Sequence, residues 1–270
     1  MPVLSAATAP LLNRGDAETP KRRGDAPPRA LRVSASLRFR RSSRLATLLT
    51  AIALPSCART ATPNAASPAP SVETAELPIV TDQRIADSLL ADVRSADSTI
   101  VVTLRYRTPQ NFTGAPLPGY DANRAFLRRE AAAALGRAQR RAAAQGLTLQ
   151  VFDAYRPVRA TLAMMEWTRR VGREDLVRDG YIASRSRHNL GLAIDLTLAD
   201  RATGQELDMG TPFDTFSSAA HTANATGQVA TNRQRLRTIM ESEGFANYDM
   251  EWWHFSFPLP DPVRFDTAVR

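Results

Sequence analysis

The sequence predicts an α+β domain in which a mainly antiparallel sheet is flanked by helices. Residues 77–270 form a stretch of nearly two hundred residues, which is long enough for one domain with a substantial core. Within this stretch, the spacing of apolar residues switches between helical and strand periods without a regular strand–helix–strand alternation. No internal repeat is visible, so we expect a single domain.

The first part of this domain is predicted to contain two helices and a strand. Residues 84–96 carry apolar side chains at helical spacing, and residues 99–106 are rich in the β-branched side chains typical of strands. Residues 123–145 are rich in Ala and Arg and predict a long helix, which Gly146 closes just past its end.

The later elements follow from similar signals. Apolar and polar residues alternate over 147–151, which predicts a strand that leads into a polar loop. Pro157 opens the next predicted helix, which extends to about residue 171. Residues 232–243 form the last predicted helix, and Gly244 ends it.

The net charge of +8 is concentrated ahead of this domain. Residues 1–44 contain ten Lys or Arg and three Asp or Glu, a balance of +7 that leaves +1 for the remainder. Only one of the 35 basic residues is Lys, which indicates a compositional bias of the sequence. Because a domain that binds nucleic acid carries its own basic face, we expect no nucleic-acid partner.

Residues 38–57 resemble a bacterial export signal. Several arginines precede an apolar stretch at 45–54, which is too short to span a bilayer as a stable anchor. The stretch ends in the letters LPSC, which are similar to the lipobox of bacterial lipoproteins, and Cys57 is the only cysteine. We therefore expect an exported protein of the periplasm or cell envelope, attached to the membrane only through a lipid on Cys57. The alternative is a signal peptide cut nearby, with Cys57 incidental.

Two segments beside this signal lack hydrophobic periodicity. Residues 1–37 are rich in Pro, Arg and Ala. We expect translation to start downstream, near Val33, which makes the extension at 1–37 doubtful as part of the protein. Residues 58–76 are dominated by Ala, Thr, Pro and Ser, and they predict a flexible tether to the domain at 77–270.

His188 and Asp195 are candidates for one polar site, although they are seven residues apart. A straight strand would separate them by about 23 Å, so the chain has to turn between them, and Gly191 is the natural position. From Leu192 onward apolar residues alternate, which points Asp195 to the face opposite the Leu and Ile core. Taken singly, a lone His or a buried Asp is more often structural than a ligand.

Glu251 and His254 form a second polar pair, on either side of two tryptophans that indicate core packing. Residues three apart come to the same side only if the backbone is helical or turned locally. Two imidazoles and one carboxylate hold zinc with a fourth position open, and a further carboxylate can act as the base for a metal-bound water. Together with His188 and Asp195, this pair predicts a catalytic zinc site.

Five separated motifs resemble the zinc D-alanyl peptidases of the M15 family. Two of them are the signatures Ser186-x-His188-x-x-Gly191-x-Ala193-x-Asp195 and Glu251-x-Trp253-His254. Three more are similar to the VanX-type D-alanyl-D-alanine dipeptidases of that family: Tyr106 with the run 111–114, the run 153–157 and the run 209–214. The resemblance covers roughly residues 105–257 and implies the fold of a zinc D-Ala-D-Ala peptidase.

The resemblance also implies a role for each matching residue in the chemistry. One zinc ion per chain would be held by His188, Asp195 and His254. Glu251 would be the general base that takes a proton from the metal-activated water and returns it to the leaving amine. Arg156 would stabilise the tetrahedral oxyanion, a role that suits a permanently charged, planar side chain.

Four further residues are implied in substrate binding. Ser186 and Asp214 would grip the two ends of a dipeptide, with Asp214 opposite the free ammonium. Asp153 would either orient Arg156 or cap the following helix, and both readings stay open. Tyr106 would line the same pocket, although a Tyr at a strand end more often serves packing.

The activity expected from this resemblance is hydrolysis of the small dipeptide D-Ala-D-Ala in cell-wall peptide turnover. The familiar VanX-type enzymes act in the cytoplasm, and an exported protein cannot reach that dipeptide pool. One alternative is a D,D-carboxypeptidase that trims peptidoglycan stem peptides, against which Asp214 argues. The other is a non-catalytic lipoprotein that binds muropeptides, for which Glu251 and Arg156 would not be needed. The third histidine, His221, is expected to lie in a solvated loop or to support the site indirectly.

Overall fold

The computed structural model describes residues 77–260 and 263–270. The predicted extension at 1–37, the signal at 38–57 with Cys57, and the tether at 58–76 lie outside the described residues. Within the described ranges, no helix combines the length and apolar character that crossing a membrane requires.

Strands and helices alternate irregularly along the described part of the chain. The strands are β1 (Ile79–Val80), β2 (Leu90–Asp92), β3 (Val101–Val102), β4 (Phe126–Arg128), β5 (Leu147–Asp153), β6 (Ala193–Asp200), β7 (Ala246–Tyr248), β8 (Glu251–Ser256) and β9 (Arg264–Phe265). The α-helices are α1 (Gln83–Leu89), α2 (Val93–Ala96), α3 (Arg129–Ala143), α4 (Val158–Val171), α5 (Asp175–Arg178) and α6 (Gly227–Glu241). Short 3₁₀ helices cover Arg105–Arg107, Arg187–Leu190 and Ser218–Ala220.

A five-stranded sheet forms the centre of the fold, in the order β3-β5-β6-β8-β7. The pairs β5–β6, β6–β8 and β7–β8 are antiparallel, whereas β3 joins the edge in parallel. Two small sheets, β1–β9 and β2–β4, accompany it. The predicted α+β class, a single domain with a mainly antiparallel sheet and flanking helices, is confirmed.

Strands β5 and β6 are the buried centre of this sheet. Every residue of β5 is buried, and so are all residues of β6 except the last. Leu196 and Leu198 are fully buried, as the alternation predicts, and Asp195 on the opposite face is also only 2% exposed. A buried carboxylate requires polar partners, so the position of Asp195 itself indicates a polar site beside the sheet.

The helix predicted after Pro157 is present as α4. Pro157 immediately precedes its first residue, and Gly172 ends it in the left-handed conformation, with φ of 68°. Both signals are local, because proline presets the backbone angle at a helix start and glycine adopts positive φ without steric cost. Because α4 follows the end of β5 after a short loop, it fixes the place of Arg156, which lies in that loop.

The helix predicted over residues 84–96 is wrong in its middle. The chain forms α1, leaves the helical conformation for β2, and then forms α2. Asp92 ends the strand and caps α2, since its side chain accepts a hydrogen bond from the Arg94 backbone N–H at 2.9 Å. Strand β2 exists because it pairs with β4, a partner far along the sequence that local spacing does not reveal.

Three other predicted boundaries need correction. The strand predicted over 99–106 is limited to β3, because the Leu104 N–H donates to the Asn123 side chain at 3.0 Å and the chain turns into a 3₁₀ helix. The helix predicted over 123–145 begins only at α3, since β4 precedes it. The last helix begins at Gly227, five residues before the predicted start.

Candidate active site

The 3₁₀ helix Arg187–Leu190 positions His188. Ser186 caps this helix, because its hydroxyl accepts a hydrogen bond from the His188 backbone N–H at 3.3 Å. Gly191 ends the helix with φ of 63°, and a Cβ at this position would lie 2.6 Å from Leu90 Cδ2. The backbone conformation therefore favours glycine here, and an added Cβ would require the Leu90 side chain to shift. The chain turns at Gly191, as predicted, and returns in β6.

The register of the sheet brings three polar side chains into one row. Asp153 on β5 pairs with Asp195 on β6, and Asp195 pairs with His254 on β8. Directly opposed residues of antiparallel strands point to the same face, with Cβ atoms about 4.5–5.5 Å apart. Asp195 is therefore flanked by a second carboxylate on one side and an imidazole on the other.

His188, Asp195 and His254 present three ligand atoms that lie within 4.8 Å of one another. Asp195 Oδ1 lies 2.9 Å from His254 Nδ1 and 3.4 Å from His188 Nε2, and the two nitrogens are 3.2 Å apart. The outer ring nitrogens have their own partners. His188 Nδ1 donates to the Ala154 carbonyl at 2.6 Å, and His254 Nε2 lies 3.4 Å from Ser256 Oγ. These contacts orient both rings towards Asp195, so the group can hold a metal ion.

Electrostatic effects favour the protonation states that a metal ligand needs. Burial lowers the pKa of His254, which keeps its imidazole neutral near pH 7. Burial alone would raise the pKa of Asp195, but the adjacent His188 and His254 outweigh it and lower the pKa of that carboxyl. A neutral imidazole and an ionised carboxylate are the forms that bind a cation.

Glu251 and His254 share one side of β8 because this strand bulges. Asn247 of β7 pairs with Phe255, but the next residue, Tyr248, pairs with Glu251. One residue along β7 therefore corresponds to four residues along β8, and residues 252–254 of β8 have no partner on β7. As a result, Glu251 Oε2 lies 3.9 Å from His254 Nδ1. The sequence spacing of Glu251 and His254 required a locally turned backbone, and the bulge supplies it.

The Glu251 carboxyl is buried in the wall of the site. Burial is the main cause that raises the pKa of Glu251 well above its usual range, and the carboxylates of Asp195 and Asp214 add to the effect. A raised pKa suits a carboxyl that accepts a proton and then releases it near neutral pH.

Arg156 is held in place by a buried carboxylate and an aromatic ring. Its Nε donates to Asp153 Oδ2 at 2.9 Å, its Nη2 lies 2.7 Å from the same oxygen, and its guanidinium carbon lies 4.9 Å from the centre of the Tyr106 ring. The Tyr120 hydroxyl donates to the other oxygen of Asp153 at 2.6 Å. The N-terminus of α4 is at Pro157, with no side-chain cap. Of the two roles left open for Asp153, the structure contains the contact that orients Arg156.

Asp214 faces the site with one oxygen unpaired. The Tyr106 hydroxyl donates to Asp214 Oδ1 at 2.9 Å, whereas Oδ2 is buried without a hydrogen-bond partner among the described residues. Burial raises the pKa of Asp214 well above its usual range; the bond from Tyr106 opposes this shift, and the carboxylate of Asp195 adds to it. An unpaired buried acceptor costs about 1–3 kcal/mol, so this oxygen favours a ligand that donates to it.

One cavity of about 400 Å³ connects these groups, a volume typical of small-molecule sites. Eight of the nine predicted site residues line it: Tyr106, Arg156, Ser186, His188, Asp195, Asp214, Glu251 and His254. Asp153 is not in the wall, because it is fully buried behind Arg156. A neighbouring cavity of about 460 Å³ shares Phe112 and Asp214 with it but includes none of the three metal-ligand candidates.

Sequence reasoning missed several residues that support the site. Tyr120 bonds to Asp153, Asn247 lies opposite the β8 bulge, and Tyr181 lines the cavity. The Tyr181 hydroxyl lies 3.2 Å from His221 Nε2, and His221 does not join the metal-ligating group found among the described residues. The contacts of Tyr120 and Tyr181 join segments far apart in the chain, and the contact of Asn247 depends on the bulge in β8, so no local spacing signals them.

Residues 87–264 match the Peptidase M15 family, described as D-Ala-D-Ala dipeptidase. The chain belongs to this family. A D-alanyl-D-alanine dipeptidase of Enterococcus faecium is 41% identical over 185 residues, which are 62% of this chain and 91% of that protein. One from Streptomyces coelicolor is 38% identical over 183 residues, or 61% and 90% of the two chains. The resemblance predicted from the motifs is confirmed, and the protein is an M15 metallopeptidase.

Solved structures show a weaker likeness. The vancomycin-resistance D,D-dipeptidase VanXYg, in complex with a D-Ala-D-Ala phosphinate analogue, is 19% identical with a TM-score of 0.33, over 63% of this chain and 66% of that one. Membership of M15 therefore depends on the sequence matches. All nine candidate site residues lie inside the matched range.

Proposed function

We propose that this M15 protein is a zinc-dependent dipeptidase that hydrolyses free D-Ala-D-Ala. Its relatives carry the name D-alanyl-D-alanine dipeptidase. The observation that carries the proposal is one cavity whose wall contains both a metal-ligating group and Asp214, a residue with one unpaired carboxyl oxygen. The first activates a peptide bond, and the second recognises a free amino terminus.

The ligand set fits zinc. Two imidazoles and one carboxylate that leave a fourth position open are typical of catalytic zinc sites. Zinc–ligand distances of about 2.0–2.2 Å place tetrahedral corners about 3.3–3.6 Å apart. The ligand atoms of His188, Asp195 and His254 are 2.9–3.4 Å apart, so small side-chain adjustments suffice. When bound there, zinc lowers the pKa of a coordinated water to about 7 and polarises the substrate carbonyl.

Glu251 moves the proton in this proposal. Its carboxylate, beside His254, takes a proton from the attacking water and delivers it to the amide nitrogen of the leaving D-alanine. The burial that raises its pKa makes the first transfer favourable without preventing the second. The proton is therefore conserved within the site during one turnover.

Arg156 stabilises the negative charge that develops on the carbonyl oxygen. Its guanidinium is held by Asp153 and stacked on Tyr106, so little reorganisation is needed when the charge appears. Removal of one preorganised donor of this kind costs about 10²- to 10³-fold in rate.

Asp214 and Ser186 bind the two ends of the dipeptide. The ammonium of D-Ala-D-Ala supplies the donor and the positive charge that Asp214 Oδ2 lacks among the described residues. An N-acylated dipeptide has no cation at this position and would leave a buried carboxylate unpaired. The proposal therefore predicts selectivity for the free dipeptide over longer peptides.

The test compares D-Ala-D-Ala with its N-acetylated form, using zinc-loaded protein and the Glu251→Ala variant. We expect cleavage of the free dipeptide alone, with the rate reduced about 10²- to 10⁴-fold in Glu251→Ala. Preference for the acetylated form would instead identify a D,D-carboxypeptidase. Turnover of neither substrate would favour a non-catalytic muropeptide-binding protein, and either result rejects the proposal.

We further propose that this hydrolysis takes place in the cell envelope, in cell-wall peptide turnover. The predicted signal at 38–57 and the lipobox-like position of Cys57 support this location. Fractionation with intact-mass measurement is expected to find a membrane-associated protein whose amino terminus is acylated Cys57, and Cys57→Ser is expected to release it. A cytosolic protein with an uncut amino terminus contradicts this location without affecting the dipeptidase proposal.

A further inference from the structure

Asn247 closes the bulge in β8. Its side-chain nitrogen donates to the backbone carbonyl of Glu251 at 3.1 Å and to that of His254 at 3.0 Å. These carbonyls belong to the candidate base and a candidate metal ligand, in the part of β8 where the ladder with β7 is interrupted. Because a bulge removes ladder partners, the two N–H groups of one amide replace bonds that the neighbouring strand does not supply.

The orientation of this amide is fixed from the opposite side. The Thr222 hydroxyl donates to Asn247 Oδ1 at 2.6 Å, and the Thr222 backbone N–H donates to the Asp249 carbonyl at 2.9 Å. The backbone carbonyls of Glu251 and His254 can only accept, so the amide nitrogen has to face them and its oxygen has to face Thr222. Thr222 is thereby tied both to Asn247 and to the turn between β7 and β8.

We propose that Asn247 is a positioning residue that holds the β8 bulge in the form in which Glu251 and His254 share one side. On a regular strand, residues three apart point to opposite faces, and the carboxyl of Glu251 would turn away from His254. The bulge thus sets the distance between the base and the metal ligand. The effect on catalysis rests on the proposed function, whereas the effect on metal binding does not.

Asn247→Asp tests the role of the two N–H groups, because it keeps the shape of the side chain and presents oxygens to both carbonyls. We expect kcat for D-Ala-D-Ala to fall by at least about tenfold with KM changed less than about twofold, since Ser186 and Asp214 are untouched. Zinc affinity, measured by competition with a chelator, is expected to fall about 10- to 100-fold. Thr222→Val keeps the amide but removes the bond that orients it, and is expected to give smaller losses in the same direction.

Asn224→Asp is the matched control, because Asn224 lies in the same segment as Thr222 and its amide donates to the Ser218 carbonyl at 2.9 Å, not to β8. This variant is expected to keep wild-type kcat and zinc affinity. Hydrogen exchange of the metal-free proteins gives a third readout, and residues 252–254 are expected to exchange faster in Asn247→Asp and Thr222→Val.

A folded Asn247→Asp protein with wild-type kcat and zinc affinity would overturn this role, and so would a lower Tm with both quantities unchanged. If Asn247→Asp does not fold, Thr222→Val decides. Weaker zinc binding and faster exchange support the role, and wild-type values of both overturn it. If the wild-type protein does not cleave D-Ala-D-Ala but Asn247→Asp still weakens zinc binding, the proposed function fails while the role of Asn247 stands.

Discussion

The carboxyl group of Asp214 combines a place in the candidate site with a cost to the fold. One oxygen accepts a bond from Tyr106, and the other is buried without a partner among the described residues. Asp214 also adopts φ of 61°, a region in which Asn and Asp are tolerated better than most residues. Asparagine therefore fits the same backbone and keeps an acceptor for Tyr106, while it removes the buried acid.

We expect Asp214→Asn to stabilise the metal-free protein at neutral pH and to weaken dipeptide hydrolysis. The pKa of Asp214 is raised in the folded state, chiefly by burial. Below about pH 4 both the folded and unfolded states are protonated, and the variant gains nothing. As pH rises, the unfolded acid ionises first, which favours unfolding of the wild type but not of the variant. The Tm difference, measured by calorimetry, is expected to grow from about pH 4 towards pH 7.

The same variant is expected to lose activity although it gains stability. Loss of a charged hydrogen bond to the ammonium, worth about 1.5–3 kcal/mol, is expected to reduce kcat/KM about 10- to 100-fold. Asp121→Asn, at an exposed carboxylate, controls for the change in net charge. Normal hydrolysis by the variant would show that Asp214 is not the ammonium site. A Tm difference that shrinks with rising pH would show that the pKa of Asp214 is not raised in the folded state.

At the scale of single residues, the sequence predicts the side chains that carry recognisable chemistry. It does not predict the side chains that hold them in position. His188, Glu251 and Arg156 could be chosen because their spacing matched known motifs. Tyr120 and Asn247 could not, because their contacts with Asp153 and with the backbone of β8 are formed only by the folded chain. Asparagine is common in turns and tyrosine in strands and cores, so their types alone indicate no role.

At the scale of elements, the turn at Gly191 determines whether His188 reaches Asp195. The 3₁₀ helix before it and β6 after it are joined through a residue at φ of 63°. The Gly191 carbonyl also accepts a hydrogen bond from the Arg128 N–H at 2.8 Å, which ties the turn to β4. Sequence reasoning predicted the turn because the two candidate ligands required it, whereas the contact with Leu90 was visible only in the fold.

Gly191→Ala is expected to destabilise the protein and to weaken zinc binding. The left-handed conformation costs a non-glycine residue about 1–2 kcal/mol, and the new Cβ would lie 2.6 Å from Leu90 Cδ2. Gly204→Ala is the matched control, because Gly204 has φ of 73° and open space around its Cβ position. The free energies of unfolding of the two variants in urea separate the cost of the left-handed backbone from the cost of the contact with Leu90. Equal losses in the two variants would mean that the contact with Leu90 contributes nothing.

Elements whose signals are local were predicted well, and elements made by distant pairing were not. Pro157 and Gly172 delimit α4, and alternation defines β5, so both could be predicted from a short window. Strand β2 interrupts a helical pattern because its backbone pairs with β4. The free energy of that pairing depends on the tertiary fold, and it overrides the helical preference of the segment.

For the molecule as a whole, the candidate site brings four acidic groups together around one cavity. Asp153, Asp195, Asp214 and Glu251 are ionisable acids in or beside one cavity, and Arg156 is the cation that contacts two of them. The raised pKa values of Asp214 and Glu251 follow from burial first and from their acidic neighbours next. A bound divalent cation would favour the ionised forms of these acids and attract them, so the ion is expected to stabilise the whole domain.

Zinc at about a hundred times its dissociation constant is expected to raise the Tm of the metal-free protein by about 5–10 °C. Such an excess contributes about 2.7 kcal/mol of binding free energy to the folded state, and a domain of this size shifts about 2–4 °C per kcal/mol. His254→Ala is expected to abolish the shift, whereas His221→Ala, outside the ligand group, is expected to keep it. Magnesium, which prefers oxygen ligands, serves as the control ion. Equal shifts in the two histidine variants would place the stabilising ion elsewhere, because only one of these imidazoles faces Asp195.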